Sequence, residues 1–334
     1  MLRWIRNIAL SVALIVVLLG VAGLCYQEIE QRADARRFPE MGRLVNAGGT
    51  RLNINCTGLG NPTVVLESGL ASFSPTWQPV QQGIARFTRV CSYDRAGYAW
   101  SDSSPLPRTS KQIALELHTL LETAGEKPPY VLVGHSFGGL DIRAYNGLYS
   151  GKVAGMVLVE STHPDLLNRL PASIKRASDR AQKRRERQAF FAPLLWRFGI
   201  ARFMSRRQIE DPNEDFGDRE YTYLSLQPKF IDAVAREAGA LEESGVQVNA
   251  SGTLGDKPLI VLTAGKGFLG IPVRGKDLED IRNIWINDLQ LQLMRLSSEG
   301  KRIMVPDSDH NIPSERPDAI VSAVKEVCIK VNSR

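Results

Sequence analysis

The sequence predicts an α/β protein: a mostly parallel central sheet with helices on both faces and a helical cap insertion. Three observations predict it. Short, continuous apolar runs recur at 63–66, 89–93, 130–133, 155–159 and 259–262, the pattern of strands buried on both faces. Helical periodicity separates these runs, which makes the sheet mostly parallel. Between 162 and 257 the strand pattern gives way to helical, basic and locally aromatic sequence, an insertion placed between two strands.

The first segment stands apart. After Arg3 and Arg6 no charged residue occurs before Glu28. At about 1.5 Å per residue, about twenty helical residues cross a hydrocarbon core of ~30 Å, so 1–27 is expected as a transmembrane anchor with Trp4 and Tyr26 near the two interfaces. The competing reading is a signal peptide, with an apolar region of about 7–15 residues, and secretion after its cleavage. Arg32, Arg36, Arg37 and Arg43 outnumber the arginines before the span, which by charge count opposes export. Large domains translocate largely regardless of charge, and the expected placement is a single pass with the main domain outside the cytoplasm. The charged stretch 28–40, with Pro39 near its end, reads as a stalk.

From 41 onward the elements follow in order. Leu52, Ile54 and Cys56 alternate with Arg51, Asn53 and Asn55, the period of a half-buried strand, and Gly48-Gly49 marks a hairpin with the segment around 43–45. The clearest helix is 110–123, where Thr109 and Gln112 form a capping box, Ile113, Leu117, Leu120 and Leu121 make one apolar stripe, and Gly125 ends it. The core is assigned to 41–161 and 258–334, and the cap to 162–257.

Composition bounds the rest. With 334 residues, 43% hydrophobic and 23% charged, the chain suits one large domain with an inserted subdomain. A net charge of +6 is modest and local, so no nucleic-acid partner is expected. Four cysteines do not make a disulfide scaffold in a chain this long. Cys56, Cys91 and Cys328 are read as small buried hydrophobes, with a Cys56–Cys91 bridge as the alternative that export would allow.

The chemistry is carried by Tyr130-Val-Leu-Val-Gly-His-Ser-Phe-Gly-Gly139. An apolar strand runs directly into Gly134-x-Ser136-x-Gly138, and a serine hydroxyl must be held exposed on such a tight strand-to-helix turn to act as a nucleophile. The bland reading is a glycine-rich turn with a capping serine. Of the four histidines, His118 lies in the amphipathic helix, His135 adjoins Ser136 with its side chain expected to point away, and His163 follows the next strand. His310 follows the last apolar strand, Arg302-Ile-Met-Val305, and is the expected general base.

These segments resemble the α/β-hydrolase superfamily, in its serine-hydrolase branch of prolyl-iminopeptidase-like and haloperoxidase-like enzymes. Glu67-Ser68-Gly69-Leu70 is similar to the family's oxyanion loop, Ser92–Asp102 to the loop after its next strand, and Asp307-Ser-Asp-His310 to its histidine segment. The resemblance implies an α/β-hydrolase fold with Ser136 as nucleophile, His310 as base, and the backbone N–H groups of Leu70 and Phe137 as oxyanion donors. Most relatives place the acid after the strand at 259–262, where 263–270 offers no carboxylate. Glu160, at the end of the preceding strand, is chosen instead, with Asp165 and Asp277 as further candidates.

In the loop after the second apolar run, 89–93, Asp94 and Arg95 are read as a structural ion pair that shapes the site. No metal site is expected, because the histidines lack ligand spacing and no CxxC occurs, and no cofactor is implied. Residues 175–207 combine arginines and lysines with Phe190, Phe191, Trp196, Phe198 and Phe203. That composition suits a lid facing lipid headgroups, or a solvated basic face with its aromatics packed inward. The expected reaction is ester hydrolysis of a small, lipophilic substrate through an acyl-enzyme. Peptidase, perhydrolase or carbon–carbon hydrolase chemistry, and a non-catalytic binding protein on the same fold, are the alternatives.

Overall fold

The structure is a computed structural model that describes residues 2–171, 174–176, 180, 194–266 and 275–334. Its strands form one eight-stranded sheet in the order β1-β2-β4-β3-β5-β6-β7-β8. They are β1 (Arg43–Asn46), β2 (Arg51–Thr57), β3 (Thr63–Glu67), β4 (Val90–Tyr93), β5 (Tyr130–His135), β6 (Val153–Val159), β7 (Leu259–Ala264) and β8 (Gly300–Val305). β1 and β2 pair antiparallel, as do β2 and β4, and every other pairing is parallel. The expected hairpin is the β1–β2 pair, and each continuous apolar run is a strand.

Alternation along β3 sorts the two faces. Val65 joins Leu132, Ile113, Leu117 and Leu121 on one side, under helices α3 (Ser110–Ala124) and α4 (Gly138–Tyr149). Val64 and Leu66 join Val131, Val133, Ile84, Val324 and Val327 on the other, under α2 (Gln78–Ile84) and a C-terminal helix, Pro317–Asn332. Both faces are therefore dry, which is why the central strands read as uninterrupted apolar runs rather than alternating ones. α3 begins as its sequence requires: the Thr109 side chain accepts from Gln112 N–H, and Gly125 caps the end at φ +80°.

Cys56 and Cys91, read as separate buried thiols, are instead joined in a disulfide. They are register partners on adjacent strands β2 and β4, so the pairing itself brings the sulfurs together. Local pattern places each cysteine on a strand but does not set that register.

The chain divides into two compact units, Met1–Glu40 with Gln182–Asp232, and Met41–Ala181 with Ala233–Arg334. The second contains the sheet. It also takes in 162–181 and 233–257, which were assigned to the cap, because helix Leu241–Asn249 is bonded to the start of α3: Ser110 N–H donates to Ser244 Oγ and Lys111 N–H to Gln247 Oε1, both at 3.0 Å.

The first unit is built on α1 (Leu2–Arg37). The stretch read as a stalk is the continuation of this helix. It stays helical because its second half is packed: Asp34 forms an ion pair with Arg202 in which both side chains are 2% exposed, and Phe38 stacks on Tyr223 with ring centroids 5.3 Å apart. The first half of α1 is long and apolar enough to cross a membrane, with a window of mean hydropathy 2.8. Of the lid residues singled out in the sequence, Lys183, Arg184, Arg185, Arg187, Phe190 and Phe191 lie outside the described residues.

Candidate active site

The parallel strands end on one edge of the sheet, and their following loops carry the residues of interest. Ser136 sits between β5 and α4 at φ +51°, a left-handed conformation that costs a non-glycine residue on the order of 1–3 kcal/mol. Three backbone bonds hold it there, Ser136 N–H to Val159 O at 3.1 Å, Gly139 N–H to Ser136 O at 3.1 Å and Thr162 N–H to Ser136 O at 3.0 Å. The flanking glycines are steric requirements. A Cβ on Gly134 would lie 2.6 Å from Gly138 O, and one on Gly138 would lie 2.6 Å from Ser68 O. Ser136 is half-buried while its neighbours are buried, so the turn presents the hydroxyl.

His310 Nε2 lies 2.9 Å from Ser136 Oγ. The loop after β8 delivers it, shaped by Glu315, whose Oε2 accepts from Ser308 Oγ and Asp309 N–H, both at 2.9 Å. Burial lowers the His310 pKa to about 4, so at neutral pH the ring is the proton-accepting form.

The other histidines have different work. His135 Nε2 is 2.8 Å from the carbonyl oxygen of His310; a carbonyl only accepts, so this nitrogen carries the proton. Burial, with the charge of His310, lowers the His135 pKa to about 3, keeping that neutral donor in place. His163 Nδ1 accepts from Asp165 N–H at 3.1 Å, and His118 stacks on Tyr149 at 3.7 Å.

Glu160 follows β6, fully buried, at φ +43°. Its Oε2 accepts from Ala264 N–H at 2.7 Å and its Oε1 from Trp285 Nε1–H at 2.5 Å. Among the described residues no hydrogen bond runs from Glu160 to His310. Desolvation raises its pKa to about 7, against the two donors that lower it, and the Asp309 carboxylate, next to His310 in sequence, raises it further. Asp165 Oδ1 accepts from Asn249 Nδ2 at 3.1 Å. Asp277 lies in helix Lys276–Asn283, and its side chain is outside the described residues. Trp285, in the π-helical turn Ile284–Leu289, was not singled out in the sequence. Its partner is 125 positions away, and no local pattern announces such a bond.

Leu70 lies in a turn closed by Ser72 N–H to Gly69 O at 3.2 Å, against Ser136: a Cβ on Gly69 would be 3.2 Å from Ser136 Cβ. Among the described residues the N–H groups of Leu70 and Phe137 donate to no protein acceptor. Arg95, 2% exposed, grips the loop from behind. It donates to Ser68 O at 2.6 Å and to Gly69 O at 2.9 Å. A trans peptide points its C=O and N–H in opposite directions, so fixing Gly69 O turns the N–H of Leu70 away from Arg95.

Arg95 and Asp94 do not pair with each other, contrary to the sequence reading. Arg95 pairs with Glu67 at 2.7 Å and Glu237 at 2.9 Å. Asp94 accepts from Asn53 Nδ2 at 2.9 Å and from Ser74 N–H at 2.8 Å. Adjacent residues on an extended segment face opposite sides, so each finds partners elsewhere.

A half-buried serine–histidine pair, its serine on a strand-to-helix turn at the carboxyl edge of a mostly parallel sheet, marks a hydrolase-type α/β scaffold. Residues 64–323 match the model of the alpha/beta hydrolase family, and the chain belongs to that family. Among curated proteins it is 26% identical over 286 residues to a probable transporter, efuK, of Hormonema carpetanum, covering 80% of this chain and 39% of that protein. The chain thus spans well under half the length of that relative. It is 24% identical to an AB hydrolase superfamily protein of Gibberella zeae, covering 80% of this chain and 86% of the relative. Among solved structures, a thermophilic esterase from Thermogutta terrifontis superposes with a TM-score of 0.60 at 21% identity, covering 86% of this chain and 97% of that one.

Proposed function

We propose that this α/β hydrolase cleaves carboxylic esters through an acyl-enzyme on Ser136. The observation that carries the reading is the 2.9 Å approach of His310 Nε2 to Ser136 Oγ on a strained turn. In this reading His310 takes the hydroxyl proton as Ser136 Oγ attacks the ester carbonyl, and the negative charge develops on an oxygen facing Leu70 and Phe137 N–H. His310 then gives the proton to the leaving alkoxide. Water, deprotonated by the same ring, releases the acid and restores Ser136.

Glu160 is the acid of this reading. Its support is a buried carboxylate at the end of β6, within electrostatic reach of Asp309 in the histidine loop; its role is to stabilise the imidazolium through the field of the site. Asp165 is committed to Asn249.

The first half of α1 is proposed as a membrane anchor, with the sheet unit on the non-cytoplasmic side and lipophilic esters as substrates. The Cys56–Cys91 bridge supports that side, because disulfides persist in oxidising compartments. Hydrolysis of p-nitrophenyl esters of increasing acyl length tests the substrate class. The reading requires turnover that grows with acyl length and an initial burst of one nitrophenol per Ser136. Cleavage of peptides or carbon–carbon bonds with no ester turnover would contradict it.

A further inference from the structure

The cap unit holds a second apolar surface whose depth is set by α1. Helix Ile200–Glu210 and the turn before it are docked on the end of the apolar run. A Cβ on Gly20 would lie 3.5 Å from the Phe198 ring, and one on Gly23 would lie 2.5 Å from Phe198 O. Gly23 thus opens a groove in which the segment at 198–199 rests, and Gly20 lies in ordinary van der Waals contact with the Phe198 ring. Tyr26 and Phe203 meet edge to face at 6.4 Å. Arg202 Nε donates to Gln27 Oε1 at 3.2 Å and the same guanidinium pairs with Asp34. A buried ion pair, a ring contact and a backbone contact fix the segment along α1.

These contacts fall where a bilayer would end. The uncharged run reaches Gln27, and at about 1.5 Å per residue Gly20 lies roughly 10 Å inside that limit. Whatever packs on Gly20 and Gly23 shares their depth. The surface it presents outward is apolar: Leu194 is 44% exposed, Leu195 42%, Ile200 46%, Phe203 57% and Met204 79%. Ile200, Phe203, Met204 and Arg207 follow the i, i+3, i+4, i+7 spacing of one helix stripe, while Arg202 and Ile209 are buried on the other side. Arg206 caps the Phe203 ring, its guanidinium carbon 4.8 Å from the centroid. Apolar groups low and arginines at the rim are what an anionic phospholipid interface takes.

The geometry points to the 194–204 segment as a second membrane-contacting element, an interfacial helix locked to the anchor and occupied by phospholipid with anionic headgroups. This rests on the reading of α1 as a membrane span. It adds that the cap unit is held in the interface by its own side chains rather than hanging from a tether.

The test uses the full chain, with Cys25 and Cys328 replaced by serine and the Cys56–Cys91 bridge kept. A nitroxide is placed in turn at Leu14→Cys, Met204→Cys and Leu59→Cys, and the protein is reconstituted in phosphatidylcholine bilayers with and without phosphatidylglycerol. Leu59, 86% exposed in the sheet unit, reports the aqueous reference. The expected result is a severalfold higher ratio of oxygen to nickel-chelate collisions at Met204 than at Leu59, increasing when phosphatidylglycerol is present. A Met204 label as aqueous as Leu59, with Leu14 deep in the bilayer, would overturn the interfacial helix and leave the anchor standing. An aqueous Leu14 would overturn the anchor and the helix together.

Discussion

Arg95 Nη2 donates to the carbonyl oxygen of Gly69 at 2.9 Å, so an arginine behind the sheet edge sets the direction of the peptide that carries Leu70 N–H. The same guanidinium forms ion pairs with Glu67 and Glu237, both buried. The direction of the Leu70 N–H and the packing of Glu237 are thereby tied to one buried cation.

Replacing Arg95 by methionine should act on both. It strands two buried carboxylates, and breaking a buried pair from one side costs about 3–5 kcal/mol. Urea unfolding at pH 7 should show a loss of that order. A change under 1 kcal/mol would mean that Glu67 and Glu237 do not depend on the arginine for their place in the fold.

In the proposed mechanism the acid limb of the pH–rate profile reports Glu160. Glu160 has its pKa raised to about 7 by burial, so it is ionised only above that pH, and protonation on acidification removes the charge that stabilises the imidazolium. Activity, as kcat/KM, should therefore fall about tenfold per pH unit below about 7. In Glu160→Gln that limb should vanish, leaving a much slower enzyme that fails only near the His310 pKa of about 4. A wild-type limb at about 4 with none near 7 would remove Glu160 from the mechanism.

Trp285→Phe deletes one of the two donors that lower the Glu160 pKa. The acid limb should move to higher pH with the fold retained by circular dichroism. An unmoved limb would show that the indole only fills space.

Gly138→Ala would place a methyl group 2.6 Å from Ser68 O and 2.7 Å from Glu67 O, both backbone atoms that cannot rotate away. Overpacking of this kind costs about 1–3 kcal/mol and would spread the Ser136 turn from the 67–70 loop. Thermal unfolding and ester turnover should fall together; a fully active variant would contradict the packing.

Cys91→Ala opens a loop closed across a sequence separation of 35. On the chain-entropy account such a closure is worth about 4 kcal/mol, and the urea midpoint should fall accordingly. The wild type should also resist alkylation of Cys56 and Cys91 when unfolded without reductant.

Much of this was legible in the sequence because it is local. The continuous apolar runs of β3 to β7, the Thr109 and Gly125 caps and the Gly134-x-Ser136-x-Gly138 turn each depend on residues a few positions apart, and the chain order of Ser136 and His310 follows from strand order. The partners set by tertiary register were not legible: Trp285 for Glu160, Glu67 and Glu237 for Arg95, and Cys56 for Cys91. The helical continuation of α1 through 28–37 was missed because its charges suggested solvent, whereas Asp34 and Gln27 are buried against Arg202. Those are long-range choices that no window of a few residues contains.

The central claim is a nucleophilic Ser136 activated by His310, and labelling with an alkyl fluorophosphonate tests it most directly. Mass spectrometry of the intact chain at pH 8 should show one phosphonyl adduct, mapped to the peptide holding Ser136, absent in Ser136→Ala and strongly slowed in His310→Ala. A folded wild-type chain that takes no adduct, or one whose adduct persists in Ser136→Ala, would contradict it.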